Sequence, residues 1–138
     1  MEDKNKNVST FTKNTEGKEI WYLSQIEDTM EKVAEISIDL RNGKITQIKD
    51  GADQNIELTY DISGNLEKLK DVNGREKKYI YNNENLIGIV YSGGKKTRYE
   101  YEDNKIKSMT NIDGYKFEYE YYKEKTGRVR KIQEKRNK

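Results

Sequence analysis

Apolar and polar residues alternate along most of the chain, in short runs of five to eight residues. Between Phe117 and Tyr121, three aromatic residues alternate with Glu118 and Glu120. A period of two is typical of a strand with one face toward apolar neighbours and the other toward water. Gly and Asn separate the runs, and both tolerate the positive φ of tight hairpin turns. The pattern therefore predicts antiparallel strands joined by hairpins.

The runs form a repeat of about twenty residues. Aligned on the strand before each turn, five segments place an apolar anchor in register, with spacings of 20, 21, 20 and 20 residues. Two apolar residues three positions apart follow each anchor. The anchors are Leu40, Tyr60, Tyr81, Tyr101 and Tyr121, and the pairs are Ile45/Ile48, Leu66/Leu69, Leu86/Ile89, Ile106/Met109 and Val129/Ile132.

The spacing within these pairs conflicts with a regular strand. Residues three apart on a flat strand point to opposite faces of the sheet. We expect either a β-bulge that brings both side chains to one face, or a sheet that buries some of each face.

The first 34 residues form a less regular unit. The segment that begins at Phe11 reads as a degenerate repeat, with Gly17 as its turn and Ile20/Leu23 as its apolar pair. An insertion over residues 24–31 follows. Its first residues, Ser24 and Glu27, have the spacing of a helix capping box. A short helix, a loop and a long hairpin all remain open for this stretch, in which three apolar residues have helical spacing: Ile26, Met30 and Val33.

These observations predict one all-β domain over residues 1–138. Repeats fill residues 35–133, the degenerate unit precedes them, and residues 134–138 form a basic tail. We expect an antiparallel meander of about 10–12 short strands. A sheet of that many strands at ~4.8 Å spacing is ~50 Å wide, and open sheets of this size usually curl. The fold class is therefore an all-β, curled or partly rolled sheet.

Composition adds that the core is thin. Hydrophobic residues make up 32 % of the chain, and the mean hydropathy is −1.19. Leu, Ile, Val and Phe total 27 of 138 residues, close to the ~20 % below which chains tend to be disordered. Eleven tyrosines and Trp21 supply further apolar area, and the net charge is only +2. We interpret the chain as folded with shallow burial.

The charge pattern does not favour nucleic acid as a partner. Lys and Arg number 27 against 25 Asp and Glu, so there is no strong overall attraction to polyanions. The end of the chain from Tyr121 is locally basic, which is typical of a solvated last hairpin. A single-stranded nucleic acid site would use tyrosines beside basic residues. The basic residues in question are Lys95, Lys96, Arg98, Arg128 and Arg130.

The residue types present argue against an enzyme. The chain contains no His and no Cys, which removes the usual nucleophile–base pairs and the ordinary zinc ligands. Carboxylates are plentiful, but they alternate with tyrosines or lie in turns, as solvated residues do. The Asp and Asn turn clusters do not follow the spacing of a calcium loop. We therefore predict no catalytic residues, no cofactor and no metal site.

One unit carries a family resemblance. The segment YDISGNLEKLKDVNG, from Tyr60 to Gly74, resembles the YD repeat of Rhs-type and wall-associated bacterial proteins, insecticidal toxin subunits and teneurins. In the next two units Asn82 and Glu102 replace the Asp of this motif, and both lack its first Gly. The resemblance covers residues 35–133. The matching residues are Tyr60, Asp61, Gly64, Asn65, Leu66, Leu69 and Gly74.

The resemblance implies a secreted or surface-associated β-module of an exported protein, since repeats of this family form curved sheets that often enclose a toxin. The first residues are polar and lack the apolar segment of a signal peptide, and no apolar run reaches the ~18 residues of a membrane span. The chain is thus expected to be cytoplasmic, or exported and trimmed. It has too few units for a closed shell.

Two kinds of partner remain for such a module. The first is cell-wall polysaccharide, stacked on exposed aromatic rings. The second is another protein, either added to the edge of the sheet or assembled with it as a scaffold or remnant of a larger shell. The candidate ligand-binding residues are Trp21, Tyr99, Tyr101, Tyr119 and Tyr121. The same tyrosines are also consistent with a purely structural role in the sheet, through cross-strand aromatic pairs.

Overall fold

The computed structural model describes residues 1, 4, 6–14, 19–30, 33–123 and 127–135. These residues form twelve strands and no helix, hence none that could cross a membrane. The bounds are β1 Val8–Lys13, β2 Trp21–Glu27, β3 Val33–Asp39, β4 Lys44–Lys49, β5 Asn55–Tyr60, β6 Leu66–Lys70, β7 Glu76–Asn82, β8 Asn85–Tyr91, β9 Lys96–Glu102, β10 Lys105–Thr110, β11 Lys116–Tyr121 and β12 Val129–Lys135. Gly17, Glu31 and residues 136–138 of the basic tail lie outside the described residues.

The strands belong to two compact units, Met1–Arg75 with β1–β6 and Glu76–Lys138 with β7–β12. Within each unit, every strand pairs antiparallel with the strand that follows it in the sequence. The predicted all-β antiparallel meander is confirmed, at the upper end of the expected number of strands.

A bulge in every repeat hairpin explains the three-residue spacing of the apolar pairs. In the β9–β10 hairpin, Ile106 lies opposite Tyr101 and Met109 opposite Tyr99, because Lys107 is an extra residue without a partner in the ladder. Tyr99 and Tyr101 are two apart on a regular strand, so Ile106 and Met109 share their face. The corresponding extra residues in the other hairpins are Ser24, Thr46, Glu67, Ile87 and Arg130.

The bulges give each unit one apolar face and one polar face. The polar face carries mainly charged side chains, such as Glu118 and Glu120 of β11. The apolar face carries, hairpin by hairpin, Phe11, Leu23 and Ile26; Ile36, Ile38, Ile45 and Ile48; Leu58, Tyr60, Leu66 and Leu69; Tyr79, Tyr81, Leu86 and Ile89; Tyr99, Tyr101, Ile106 and Met109; and Tyr119, Tyr121, Val129 and Ile132.

The register corrects two predictions for the early units. Leu40 is not an anchor, because it lies beyond β3 and the residue opposite the first aliphatic of the pair, Ile45, is Ile38. The pair Ile20/Leu23 is also wrong. Ile20 precedes β2, and the pair that shares a face across the bulge is Leu23/Ile26.

Residues 24–30 adopt the hairpin alternative. β2 runs through Ser24 to Glu27, and it pairs with β3 at Glu27↔Val33. The Ser24 hydroxyl donates to the backbone carbonyl of Thr10 at 3.1 Å and does not cap a helix. The alternation of Leu23 and Gln25 before the turn therefore determines the local structure here, and the helical spacing of the apolar residues that follow does not produce a helix in residues 24–30.

Successive hairpins are held together by a tyrosine where their strand ladder stops. The ladder between β8 and β9 ends at Gly88↔Arg98, and the Tyr101 hydroxyl then donates to the carbonyl of Leu86 at 2.8 Å. Tyr121 makes the same bond to Ile106 at 2.7 Å across β10 and β11. In the first unit, the Tyr60 hydroxyl donates to the carbonyl of Ile45 at 2.8 Å. The anchor tyrosine therefore replaces missing ladder bonds between repeats.

The acidic residue that follows the anchor organises the next turn. Asp61 accepts hydrogen bonds from the backbone N–H of Asn65 at 2.8 Å and from its side chain at 3.2 Å. Gly64 adopts the positive φ of 84° that this turn requires. In the turn that begins at Asp50 the positive φ falls on Asp53, at 61°, although a glycine lies nearby. Local side-chain bonds of this type define the turns.

Burial in the described part of the chain is shallow, as composition predicts. No apolar side chain there is fully buried, and the buried residues with polar side chains are Asn14, Thr97 and Ser108. The anchor tyrosines and most aliphatic residues of the apolar faces are half-exposed. Each unit is a single layer of strands, and the side chains on its apolar face remain partly exposed.

We predict that Tyr101→Phe lowers the free energy of unfolding by about 1 kcal/mol, because the carbonyl of Leu86 loses its partner. Urea denaturation of both proteins measures the difference. The matched control is Tyr79→Phe, since the Tyr79 hydroxyl has no hydrogen bond within the part of the chain that the structure describes. Equal losses in the two variants would contradict the role given to the hydroxyl of Tyr101.

We also predict a change in acid stability for Asp61→Asn. The backbone hydrogen bond from Asn65 holds the pKa of the Asp61 carboxyl below its usual 3.8, despite partial desolvation. A carboxyl whose pKa is lower in the folded state stabilises the fold at pH values above its usual pKa. This stabilisation is lost as the pH falls through the folded pKa. The variant keeps an Oδ1 acceptor, as Asn111 does in its own turn, where it accepts from Tyr115 N–H at 3.0 Å.

The measurement is the free energy of unfolding from about pH 6 to about pH 2. We expect Asp61→Asn to remain folded at neutral pH and to lose less stability in acid than the parent chain. Asp61→Ala removes the acceptor and should be less stable at every pH. An acid profile of Asp61→Asn that is parallel to that of the parent would exclude this carboxyl as a source of the pH dependence.

Candidate binding face

The four candidate tyrosines of the second unit lie together on its apolar face. Tyr99 and Tyr101 belong to β9, Tyr119 and Tyr121 to β11, and all four are half-exposed. Alternation places each pair on one side of its strand. Met109 of β10 lies between the two strands, opposite Tyr99 on one side. The register therefore places the four rings on one face of the second unit.

The four rings have two different roles. The hydroxyls of Tyr101 and Tyr121 are engaged by backbone carbonyls, as described above. Tyr99 and Tyr119 have no hydrogen-bonded hydroxyl within the described residues. Burial raises the pKa of the Tyr99 hydroxyl above its usual value, with further contributions from Tyr91, Tyr101 and Tyr119. Tyr99 and Tyr119 are therefore the rings whose polar ends remain available to a ligand.

Trp21, the fifth candidate, belongs to the first unit. It is 59 % exposed, and its cross-strand neighbour at the start of β2 is Lys13. The Lys13 ammonium lies 5.8 Å from the centre of the indole ring, within the range of a cation–π contact. Trp21 is thus an exposed aromatic with a basic neighbour, and it belongs to a different unit from the four candidate tyrosines.

Sequence analysis missed the lysines that cover the anchor rings. The Lys44 ammonium lies 4.8 Å from the Tyr60 ring centre and donates to the carbonyl of Gly64. Lys105 lies 5.4 Å from the Tyr121 ring centre at the equivalent position. Both lysines directly precede the first aliphatic residue of a pair. This shared position in the repeat is the feature of the sequence from which their contact with the rings could have been predicted. They cover one side of the Tyr60 and Tyr121 rings.

The polar face of the second unit carries a compact charged cluster. The Ser108 hydroxyl, 2 % exposed, donates to Glu100 Oε2 at 2.5 Å, and Lys116 Nζ donates to the same oxygen at 2.8 Å. The bond from Lys116 and then that from Ser108 hold the pKa of Glu100 below its usual value. The same contact with Glu100 raises the pKa of Lys116. The Ser108 hydroxyl is buried and donates to Glu100, and a lysine with a raised pKa stays protonated and does not act as a base. We therefore interpret the cluster as a structural contact that joins β9, β10 and β11.

The turn carboxylates are used by the backbone. Asp50 Oδ1 accepts from the N–H groups of Ala52 and Gln54, and Asp71 Oδ1 accepts from those of Asn73 and Arg75. No group of three or more metal-ligating side chains occurs in the ranges that the structure describes. The basic side chains of the last strand are also paired in part, because Lys135 Nζ lies 2.7 Å from Glu118 Oε2.

Comparison with solved structures finds the same fold in toxin chains. A chain in a crystal structure of TcdB2-TccC3-Cdc42 is 22 % identical, with a TM-score of 0.64 over 83 % of the present chain. A chain of the Tc holotoxin pore of Photorhabdus luminescens, with a mutation in TccC3, is 21 % identical, with a TM-score of 0.62 over 83 %. In each case the match spans 6 % of the toxin chain.

No protein-family model and no curated protein match the sequence. The two solved structures contain Tc toxin chains, which are Rhs/YD-repeat proteins. At this level of identity the similarity concerns the fold, and it extends over most of the described strands. The resemblance of the Tyr60–Gly74 segment is therefore confirmed, and the chain has the fold of an Rhs/YD-repeat protein.

Proposed function

We propose that this chain is a non-enzymatic structural module that assembles with another protein through the apolar face of its sheet. That it is a structural module rests on its fold, which is that of the repeats in the toxin chains. The absence of His and Cys from the sequence supports a role without catalysis. The protein partner is the new element of the proposal.

The observation that carries the proposal is the uncovered apolar face. Side chains on this face remain exposed in both units: Phe11 by 43 %, Ile48 by 36 %, Val129 by 44 % and Ile132 by 59 %. Contiguous apolar surface of this kind is characteristic of interaction sites, because a free protein gains by removing it from water.

The fold keeps this face in a fixed geometry. The bulges hold every apolar pair on one side, and the tyrosine hydroxyls fix the spacing of neighbouring hairpins where the ladder stops. A partner therefore meets an ordered surface, which reduces the entropic cost of binding. The half-exposed Tyr99 and Tyr119, whose hydroxyls do not join strands, provide the rigid aromatic contacts that are enriched at protein interfaces.

The solved structures support a protein partner over a small ligand. Both are complexes by name, one of TcdB2, TccC3 and Cdc42 and the other a holotoxin pore. The present chain spans 6 % of the length of the matched chains.

Site-specific photo-crosslinking tests the proposal. A photoreactive amino acid replaces Ile132, on the apolar face, in the cells that make the protein. The matched control replaces Lys131, the adjacent residue, which lies on the opposite face. We expect Ile132 to give one discrete crosslinked protein or a crosslinked second copy, and Lys131 to give neither. Analytical ultracentrifugation of the purified chain then shows whether it self-associates, which distinguishes a second copy from a different protein partner.

A substitution completes this test. Ile132→Glu places a charge on the exposed apolar face without opening a cavity, so the fold should persist by circular dichroism. A photoreactive group at Val129 in this variant should give at least fivefold less crosslinked product. Equal crosslinking from both faces, or no effect of Ile132→Glu, would contradict assembly through the apolar face.

Contact with cell-wall carbohydrate at the bacterial surface is a second candidate function. The grouping of four half-exposed tyrosines on one face favours it, since sugar rings stack on aromatic side chains. The availability of the Tyr99 and Tyr119 hydroxyls also favours it. Tyr101 and Tyr121 are less suitable contacts, because they join hairpins.

Retention on insoluble bacterial cell wall tests the carbohydrate candidate. Tyr99→Ala/Tyr119→Ala should abolish retention while circular dichroism shows a folded chain. The control is Tyr79→Ala, which removes an aromatic ring from β7 of the same face. If the parent chain is not retained, or if both variants lose retention to the same degree, the tyrosine pair is not a carbohydrate site.

A further inference from the structure

A recess opens on the polar face of the second unit. It has a volume of about 490 Å³ and lies over β8 and β9. Apolar side chains form one part of its wall and basic side chains another. The residues that matter are Ile80, Ile87, Gly88, Val90, Lys96 and Arg98.

Gly88, itself buried, is one of the residues that line this recess. It lies between Ile80 of β7 and Arg98 of β9, at the position that directly follows the bulge. A Cβ placed there would meet the carbonyl of Thr97 at 3.4 Å and Ile80 Cδ1 at 3.9 Å, which are ordinary contacts. The missing side chain is therefore not required by packing. Every other repeat from β3 onward has a side chain at this position: Gln47, Lys68, Ser108 and Lys131.

The cations beside Gly88 are unpaired among the residues that the structure describes. Within the described ranges, the side chains of Arg98 and Lys96 make no hydrogen bond or ion pair, and neither does the side chain of Lys78, which flanks Val90 on the other side. Elsewhere on the same face, basic residues are paired: Lys116 binds Glu100, and Lys135 binds Glu118.

Glu100, the carboxylate that follows on the same strand, also lines the recess. Glu100 follows Arg98 by two residues on the same face of β9, but its Oε2 accepts from Ser108 and Lys116 on the β10 and β11 side. The bond from Lys116 lowers the pKa of Glu100, so it stays ionised and bound to that partner. Arg98 thus keeps its guanidinium donors for a group outside the chain.

We propose that this recess binds a small organic anion, namely a carboxylate or phosphate group carried on a short apolar body. The guanidinium of Arg98 provides a planar pair of donors that fits an oxyanion, and Lys96 and Lys78 add positive charge. Ile80, 44 % exposed, together with Ile87 and Val90, accommodates the apolar body in the recess beside Gly88. Concave sites of this size that combine apolar walls with a few convergent polar groups commonly bind small ligands.

The site is independent of the proposed assembly function. It lies on the polar face, whereas assembly uses the apolar face of the same sheet. A free metabolite and an acidic side chain of a partner protein could both supply this ligand chemistry. The probes are chosen to distinguish these two sources. Four small probes test charge and apolar body in turn: hexanoate, hexyl phosphate, hexanamide and inorganic phosphate. An acetylated, amidated Leu-Asp-Leu peptide represents the acidic side chain.

The experiment follows backbone amide NMR shifts of the full chain during titration with each probe. We expect saturable shifts at Gly88, Val90 and Arg98 with hexanoate or hexyl phosphate, and at least tenfold weaker responses to hexanamide and inorganic phosphate. Saturation by the peptide at lower concentration than by hexanoate indicates a protein side chain as the source. The reverse order indicates a free small molecule.

Three variants locate the site. Gly88→Gln introduces the residue that β4 carries at this position and should remove binding by filling the recess. Arg98→Gln should weaken binding about tenfold, because one charge-assisted pair is lost. Lys135→Gln changes the net charge equally at a paired lysine of the same face and should leave binding unchanged.

The fold of each variant is checked by its NMR spectrum. If the Gln variant does not fold, Gly88→Ser replaces it, since β10 carries a serine at this position. Failure of all probes to saturate would overturn the proposal. So would binding that survives both Gly88 substitutions, or an equal loss in Lys135→Gln, since these indicate general attraction of anions to a basic surface.

Discussion

A hydrogen bond from a tyrosine hydroxyl to the backbone carbonyl of the preceding repeat is the interaction on which this sheet depends. The ladder between β8 and β9 has three residue pairs and then stops, and Tyr101 bridges the strands beyond that point. The bulge within each hairpin makes the bond useful, because it places both members of the aliphatic pair on the face where the ring packs. One residue type thus supplies ring area and strand connection together in a chain with few aliphatic residues.

The same arrangement links fold to function. A layer held by backbone ladders, tyrosine bridges and turn hydrogen bonds does not need a second layer to define its shape, although it leaves apolar surface in contact with water. Selection can then use the two faces separately. One presents Tyr99 and Tyr119 on an apolar surface, and the other presents charge, with a recess beside Gly88.

Much of this architecture is predictable from the sequence. Alternation, glycine and asparagine turns and the twenty-residue spacing indicate the strands and their order, and the three-residue spacing indicates a bulge. The register of the first hairpins is harder to predict, because Leu40 and Ile20 match the spacing of the apolar pattern but lie outside the paired strands. The recess at Gly88 could not be predicted, since its meaning depends on which residues face it across β7 and β9. Nor does the sequence reveal that Glu100 turns toward Lys116.

The ladders also have unequal lengths, with consequences for how the sheet comes apart. Five residue pairs join β9 to β10, whereas three join β10 to β11. The seams between hairpins are therefore the weaker connections, and a tyrosine hydroxyl reinforces those of β4–β5, β8–β9 and β10–β11. Under mechanical load or in native-state hydrogen exchange, we expect the sheet to unfold one hairpin at a time. The twenty-residue period is then a unit of cooperativity as well as a unit of sequence.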